Sequence, residues 1–211
     1  MQTATAAIYS TLTLSGILAK PLTHFIPTGG ENTRKYMLKQ LLIGCGNRHM
    51  RRLGFDDTNE WGDLTTLDHD ENCGADIVHD LEQPWPLDDE SFDEVHAYCV
   101  LEHLGRQGDA KTFFRDFGEI WRVLKDGGQL FAICPSASSQ WAWGDPSHTR
   151  IISPQSLVFL DQTEYQRQVG KTAMTDFRAI WQGDFEPIAV DDDGENVRFV
   201  LKAHKPIRGE I

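Results

Sequence analysis

From Lys39 onward the chain alternates short apolar runs with longer polar stretches, and that rhythm restricts it to few architectures. Gln40-Leu41-Leu42-Ile43 stops abruptly at Gly44, the form of a buried parallel strand. Leu64 to Leu67, Ala75 to Val78 and Phe92 to Val100 supply three more runs of strand length. Over residues 111–124 the period changes. Phe113, Phe114, Phe117, Ile120, Trp121 and Leu124 fall at helical spacing and predict an amphipathic helix. Asp126-Gly127-Gly128 reads as its terminator, with Gln129 to Cys134 as a fifth strand. Strands separated by helical stretches predict a doubly wound, Rossmann-like α/β sheet, mostly parallel. The end of the chain departs from that rhythm. Phe185 to Val190 and Val197 to His204 flank Asp191-Asp192-Asp193-Gly194-Glu195-Asn196, which is hairpin turn chemistry. The sheet should therefore close on a C-terminal antiparallel hairpin, its last strand lying between two others.

The 211 residues leave room for one domain and a short appendage. Residues 1–38, punctuated by Pro21, Pro27 and Gly29-Gly30, read as an appended helix or lid, and residues 39–211 as the domain proper. A net charge of -12 gives no electrostatic footprint for phosphate backbones, so a nucleic-acid partner is disfavoured, although Arg48, Arg51 and Arg52 form a local basic patch. Cys45, Cys73, Cys99 and Cys134 are widely spaced and suggest neither a disulfide framework nor structural zinc, which fits a reducing cytoplasm. The mildly apolar stretch from Ala4 to Ala19 lacks the basic start of a signal peptide, and no run approaches the roughly 18 apolar residues of a membrane span. Oligomeric state is not legible.

Leu42-Ile43-Gly44-Cys45-Gly46-Asn47 places glycines just after the first strand, where the backbone can turn sharply and approach a ligand closely. The third glycine of a pyrophosphate-binding loop would fall at position 49, which is His49. Asp68, ending the second strand, could accept both hydroxyls of a ribose. Asp80, after the third, could accept an exocyclic adenine amine, with Leu81 completing the slot for the ring. Each Asp taken alone could equally cap a turn. Their order behind a glycine turn is the informative feature.

With Val100-Leu101-Glu102-His103-Leu104 after the fourth strand, and Trp121-Arg122-Val123-Leu124-Lys125-Asp126-Gly127-Gly128 before the fifth, the run from Leu41 to Ile133 resembles the class I S-adenosylmethionine-dependent methyltransferases, in particular the small single-domain type. The resemblance implies S-adenosylmethionine as cofactor. Gly44, Cys45 and Gly46 would lie under its methionine portion, with Asn47 also in contact with the cofactor, Asp68 at the ribose, Asp80 and Leu81 at the adenine, and Cys99 and Val100 near the sulfonium and adenine. It gives no reason to expect a metal.

Such an enzyme needs to align an acceptor and exclude water, so its catalytic residues are weakly marked in sequence. Glu102 and His103 could contact the acceptor, or could be a helix N-terminal charge and a packing residue. Residues 141–150 put Trp141, Trp143, Asp145, His148 and Arg150 in one loop past the fifth strand, where α/β enzymes bind substrates. His148 leads as an acid–base or acceptor-binding group, the alternative being a Trp-packed loop with His148 exposed. Asp145 and His148 have a spacing a metal could use, but two ligands do not make a site. The Asn/Asp-Pro-Pro-aromatic turn of exocyclic-amine nucleic-acid methyltransferases is replaced by Cys99-Val100-Leu101-Glu102, and the Pro-Cys nucleophile of cytosine C5 enzymes is missing, since Cys134-Pro135 has the reverse order. A small-molecule O- or N-acceptor is therefore expected. The alternative is a cofactor-binding protein, or a subunit of a larger modification system, without independent transfer activity. The His49 substitution, Asp80 and the antiparallel tail argue against an NAD-dependent oxidoreductase.

Overall fold

The computed structural model describes residues 38–54 and 60–209, so the segment 1–38 read as an appendage lies, but for its last residue, outside the described residues. Seven strands form one sheet: β1 (Lys39–Ile43), β2 (Asp63–Asp68), β3 (Ile77–Val78), β4 (Phe92–Tyr98), β5 (Leu124–Pro135), β6 (Phe185–Asp192) and β7 (Asn196–Ala203). Their spatial order is β3-β2-β1-β4-β5-β7-β6. The first five run parallel. β7 inserts antiparallel between β5 and β6, as the acidic turn between two terminal apolar runs predicts. Asp193 makes that turn, its Oδ1 accepting from the Glu195 and Asn196 amides.

Side chains alternate across the sheet with the strand period of two. Leu41, Ile43, Val95, Ala97, Leu130 and Ala132 face the larger core. Against them packs α1 (Ala110–Val123), whose Asp109 cap accepts from the Lys111 and Thr112 amides. Phe114, Phe117, Ile120 and Val123 form its buried stripe. Trp181, Tyr165 and Phe185 extend the same core. The opposite face carries Leu42, Tyr98 and Ile133 and a buried polar group. There Gln40 and Arg51 donate to Oε2 of Glu94, His96 bridges Glu94 (3.0 Å) and the Tyr98 hydroxyl (2.7 Å), and Phe131 stacks on His96. Burial alone would raise the Glu94 carboxyl, but the hydrogen bond and charge of His96, with Gln40 and Arg51, hold it below its ordinary value.

Two expectations need correction. Asp126-Gly127-Gly128 does not stop the helix. α1 ends at Val123, Leu124 is already extended, and β5 runs through the glycines. The pairing shifts from Phe92↔Leu124 to Glu94↔Gln129, so the extra residues bulge out of β5, with Gly127 at φ 75° and Lys125 pulled onto Asp93 (2.8 Å). Also, among the described residues, only the β4–β5 connection carries a helix of several turns. The described parts of the links around β2 and β3 are turns and loops. No helix among the described residues is long and apolar enough to cross a membrane.

Candidate functional site

The parallel strands end at one edge, and the sequence-predicted residues gather there. After Ile43 the chain passes through Gly44 (φ 58°) and Gly46 (φ 50°), both in the left-handed region that favours glycine. The two glycines serve different ends. A side chain on Gly44 would collide with Val100, whereas one on Gly46 would meet nothing within 4 Å. Gly44 is thus a packing contact between the first and fourth strand ends, and Gly46 borders open space.

Asp68 holds this turn from below. Its buried carboxylate accepts from the Gly46 amide (2.8 Å) and the Asp70 amide (2.9 Å). Oδ2 keeps a further lone pair for a ligand hydroxyl, while Oδ1 also faces Nδ1 of His69 (3.3 Å). Asp80 is exposed beyond β3. Its Oδ1 accepts from the Glu82 amide (2.9 Å), and no described residue engages Oδ2. The His79 amide donates to the Asp68 carbonyl (2.8 Å) and so brings this segment alongside Asp68. Leu81 is buried, its carbonyl accepting from the Trp85 indole (3.2 Å). Burial pushes the Cys45 thiol up to about 12, so it sits as a neutral packing group beside Cys73.

A cavity of about 330 Å³ opens at the glycine turn, lined by Gly44, Cys45, Gly46 and Asn47 together with Leu42, Arg48, Arg52 and Tyr98. Asp68, Asp80, Leu81, Cys99 and Val100 do not line it. Tyr98 and the arginines are additions to the expected set. The tyrosine hydroxyl accepts from the Arg52 and Leu53 amides (3.3 and 3.1 Å), and the Arg52 guanidinium lies over its ring. Arg48 and Arg52 stand out in the sequence as a basic patch. Nothing in the sequence points Tyr98 at the turn.

At the end of β4, Cys99 takes φ 57°, rare for a side-chain-bearing residue. That turn sends Val100 against Gly44 and starts the 3-10 helical turn Leu101–His103. The loop after β5, which includes the short helix α2 (Trp141–Gly144), is stitched onto it. The Thr149 and Arg150 amides donate to the Glu102 carbonyl (2.9 and 3.2 Å), and the Arg150 guanidinium reaches Asp116 (3.3 Å) and Thr112 (2.8 Å) on α1. His148 is thereby brought to His103, ring centroids 4.7 Å apart. The loop is inside out relative to the Trp-packed alternative. Trp141 and Trp143 are 60% and 67% exposed, while the His148 side chain is 8% exposed. Nδ1 of His148 faces the Trp141 carbonyl (2.8 Å) and Nδ1 of His103 the Ser147 carbonyl (3.2 Å). A carbonyl only accepts, so each Nδ1 carries the proton and each Nε2 the lone pair. Burial, then the neighbouring His148, lowers the pKa of His103. Glu102 is not a surface charge at a helix start. It is 2% exposed, and burial raises its carboxyl.

Residues 41–132 match the family model described as a methyltransferase domain. The match spans 92 of the 211 residues and likens that part of the chain to a methyltransferase domain. A chain from the complex between the Haloferax volcanii Trm112 methyltransferase activator and a methyltransferase shares the fold, with a TM-score of 0.54 at 16% identity over 82% of this chain and 84% of that one. Also similar are S-adenosylmethionine-dependent methyltransferases from Archaeoglobus fulgidus (TM-score 0.48, 16% identity, covering 80% and 87%) and Aquifex aeolicus (0.46, 15%, 80% and 83%). No protein of curated function matches the sequence.

Proposed function

We propose that this domain, residues 39–211, catalyses methyl transfer from S-adenosylmethionine to an oxygen or nitrogen of a small-molecule acceptor, in a reducing cytoplasm where its four unpaired cysteines stay free. When bound, the cofactor supplies a methyl group on a positively charged sulfur. The observation that carries the reading is the glycine turn: a cavity opens where Gly46 presents bare backbone, with Asp68 beneath and Asp80 beyond. Arg48 and Arg52 offer cations to the methionine carboxylate, Asp68 an acceptor to the ribose, and Asp80 Oδ2 an acceptor to the adenine amine, with Leu81 against the ring. Cys99 and Val100 set the wall near the sulfur, because Val100 is fixed against Gly44.

His103 and His148 stand at the same edge with their Nε2 lone pairs available. They hold the acceptor or take its proton as the new bond forms. Replacing His148 by Ala should leave S-adenosylmethionine affinity nearly unchanged and lower turnover by roughly 10²–10⁴-fold. A screen with methyl-labelled cofactor, followed by His148→Ala on the first acceptor found, tests this. Loss of only a few fold would reduce His148 to a bystander.

A second reading, a subunit that acts only with an activator, draws on the Haloferax volcanii complex and on the solvent-facing Trp141 and Trp143 beside the site. Turnover by the isolated chain would eliminate it.

A further inference from the structure

Glu102 sets a problem that methyl transfer alone does not solve. It is almost wholly buried, and neither carboxylate oxygen has a hydrogen-bond partner among the described residues. The Cys134 thiol lies near it, a weak donor outside hydrogen-bond geometry. A carboxylate removed from water without a partner is costly, and an orphan of this kind calls for an ion, a water or a chemical role. A proton acceptor on the histidines would explain them and leave Glu102 unexplained.

One ligand atom from each of Glu102, His103 and His148 lies within 4.8 Å of the others. Both rings are held by Nδ1–H bonds to backbone carbonyls, the outer contact that orients a metal-ligating imidazole and leaves Nε2 as donor. The backbone enforces the grouping. Glu102 and His103 are consecutive, and the amides of Thr149 and Arg150 fix His148 opposite them through the Glu102 carbonyl. Asp145 Oδ2, 3.9 Å from His148 Nε2, lies within reach of a ligand water.

We propose that Glu102, His103 and His148 bind a divalent first-row transition cation such as Zn²⁺. Two imidazoles and one carboxylate suit such an ion better than Mg²⁺ or Ca²⁺, which prefer oxygen alone. Three protein ligands leave an open position, as in catalytic rather than structural sites. At this edge of the sheet that position would take water or an acceptor oxygen, so the site favours hydroxyl-bearing acceptors. The acceptor preference rests on the methyl-transfer reading; cation binding does not.

The buried group Cys45, Asp68 and Cys73 is the competing place for a cation, and the test must separate the two. Equilibrium dialysis against Zn²⁺ with elemental analysis, and titration with Co²⁺ followed by absorption, are run on the full chain and on Glu102→Gln, His148→Ala and Cys73→Ser. The expected result is one equivalent bound per chain, no thiolate-to-cobalt charge-transfer band, at least ~10-fold weaker binding in Glu102→Gln and in His148→Ala, and unchanged binding in Cys73→Ser. No stoichiometric binding by the parent would overturn the proposal. So would binding that survives both Glu102→Gln and His148→Ala, or that disappears in Cys73→Ser. Should Glu102→Gln fail to fold, His148→Ala, in a loop, tests the same ligand set alone. Calorimetry with S-adenosylmethionine on the same samples keeps the readings apart. Zn²⁺ bound without S-adenosylmethionine binding sinks methyl transfer alone, and the reverse sinks the cation site alone.

Discussion

At the residue scale, Gly44 and Gly46 look alike in sequence and do different work. An alanine at Gly44 must both adopt φ 58° and displace Val100. The backbone strain of roughly 1–2 kcal/mol and overpacking of roughly 1–3 kcal/mol add, so Gly44→Ala should lower stability by about 2–5 kcal/mol in urea unfolding. Gly46→Ala meets no neighbour and should cost only the strain, about 1–2 kcal/mol. Equal losses at the two positions would contradict the division between packing glycine and ligand-facing glycine. The motif announces a ligand turn but not which glycine faces the ligand, because that depends on Val100, a residue from another strand end. Glu102 shows the same limit. Beside a helical turn a glutamate reads as a surface charge, and its burial follows only from where the loop after β5 lies.

At the scale of elements, strands and the long helix are legible because one face of each is apolar at a fixed period. Asp126-Gly127-Gly128 misleads because a glycine pair marks a sharp turn without saying whether a helix stops or a strand bulges. Lys125 on Asp93 makes it a bulge, a cross-strand contact outside any local window. The polar group on the second face of the sheet is likewise illegible, since its members are scattered over β1, β4 and the segment after the glycine turn. It carries a pH signature. Burial lowers His96 from 6.5, against the opposing pull of Glu94 and with Arg51 nearby; Tyr98, Trp61 and Phe131 also face the ring. A lowered folded value means that the unfolded chain takes up the proton first. The contribution of His96 to stability is therefore full above pH 6.5 and is lost as pH falls below it toward the folded value. Glu94, also lowered, acts in the same sense, its contribution fading only below 4.5. Urea midpoints measured as the pH is lowered through 6.5 should fall more steeply for the parent than for His96→Gln. Parallel curves would remove His96 from the account.

For the whole molecule, the mostly parallel sheet and its antiparallel insertion are readable from the sequence of runs and the final acidic turn, whereas the order of the parallel strands comes from the structure. The place where cofactor, acceptor and cation would meet is only half readable: Gly44 to Asn47, Asp68 and Asp80 are local to strand ends, whereas Tyr98, Glu102 and His148 join through tertiary contacts. The central claim is that these strand ends hold S-adenosylmethionine. Asp80 tests it more cleanly than Asp68, which also pins the Gly46 amide and would disturb the turn if removed. The decisive measurement is calorimetric titration of S-adenosylmethionine into the parent chain, Asp80→Ala and Gly46→Val. One site per chain is predicted, weakened by roughly 1–3 kcal/mol in Asp80→Ala and by at least as much in Gly46→Val. No binding by the parent, or equal binding by all three proteins, would contradict it.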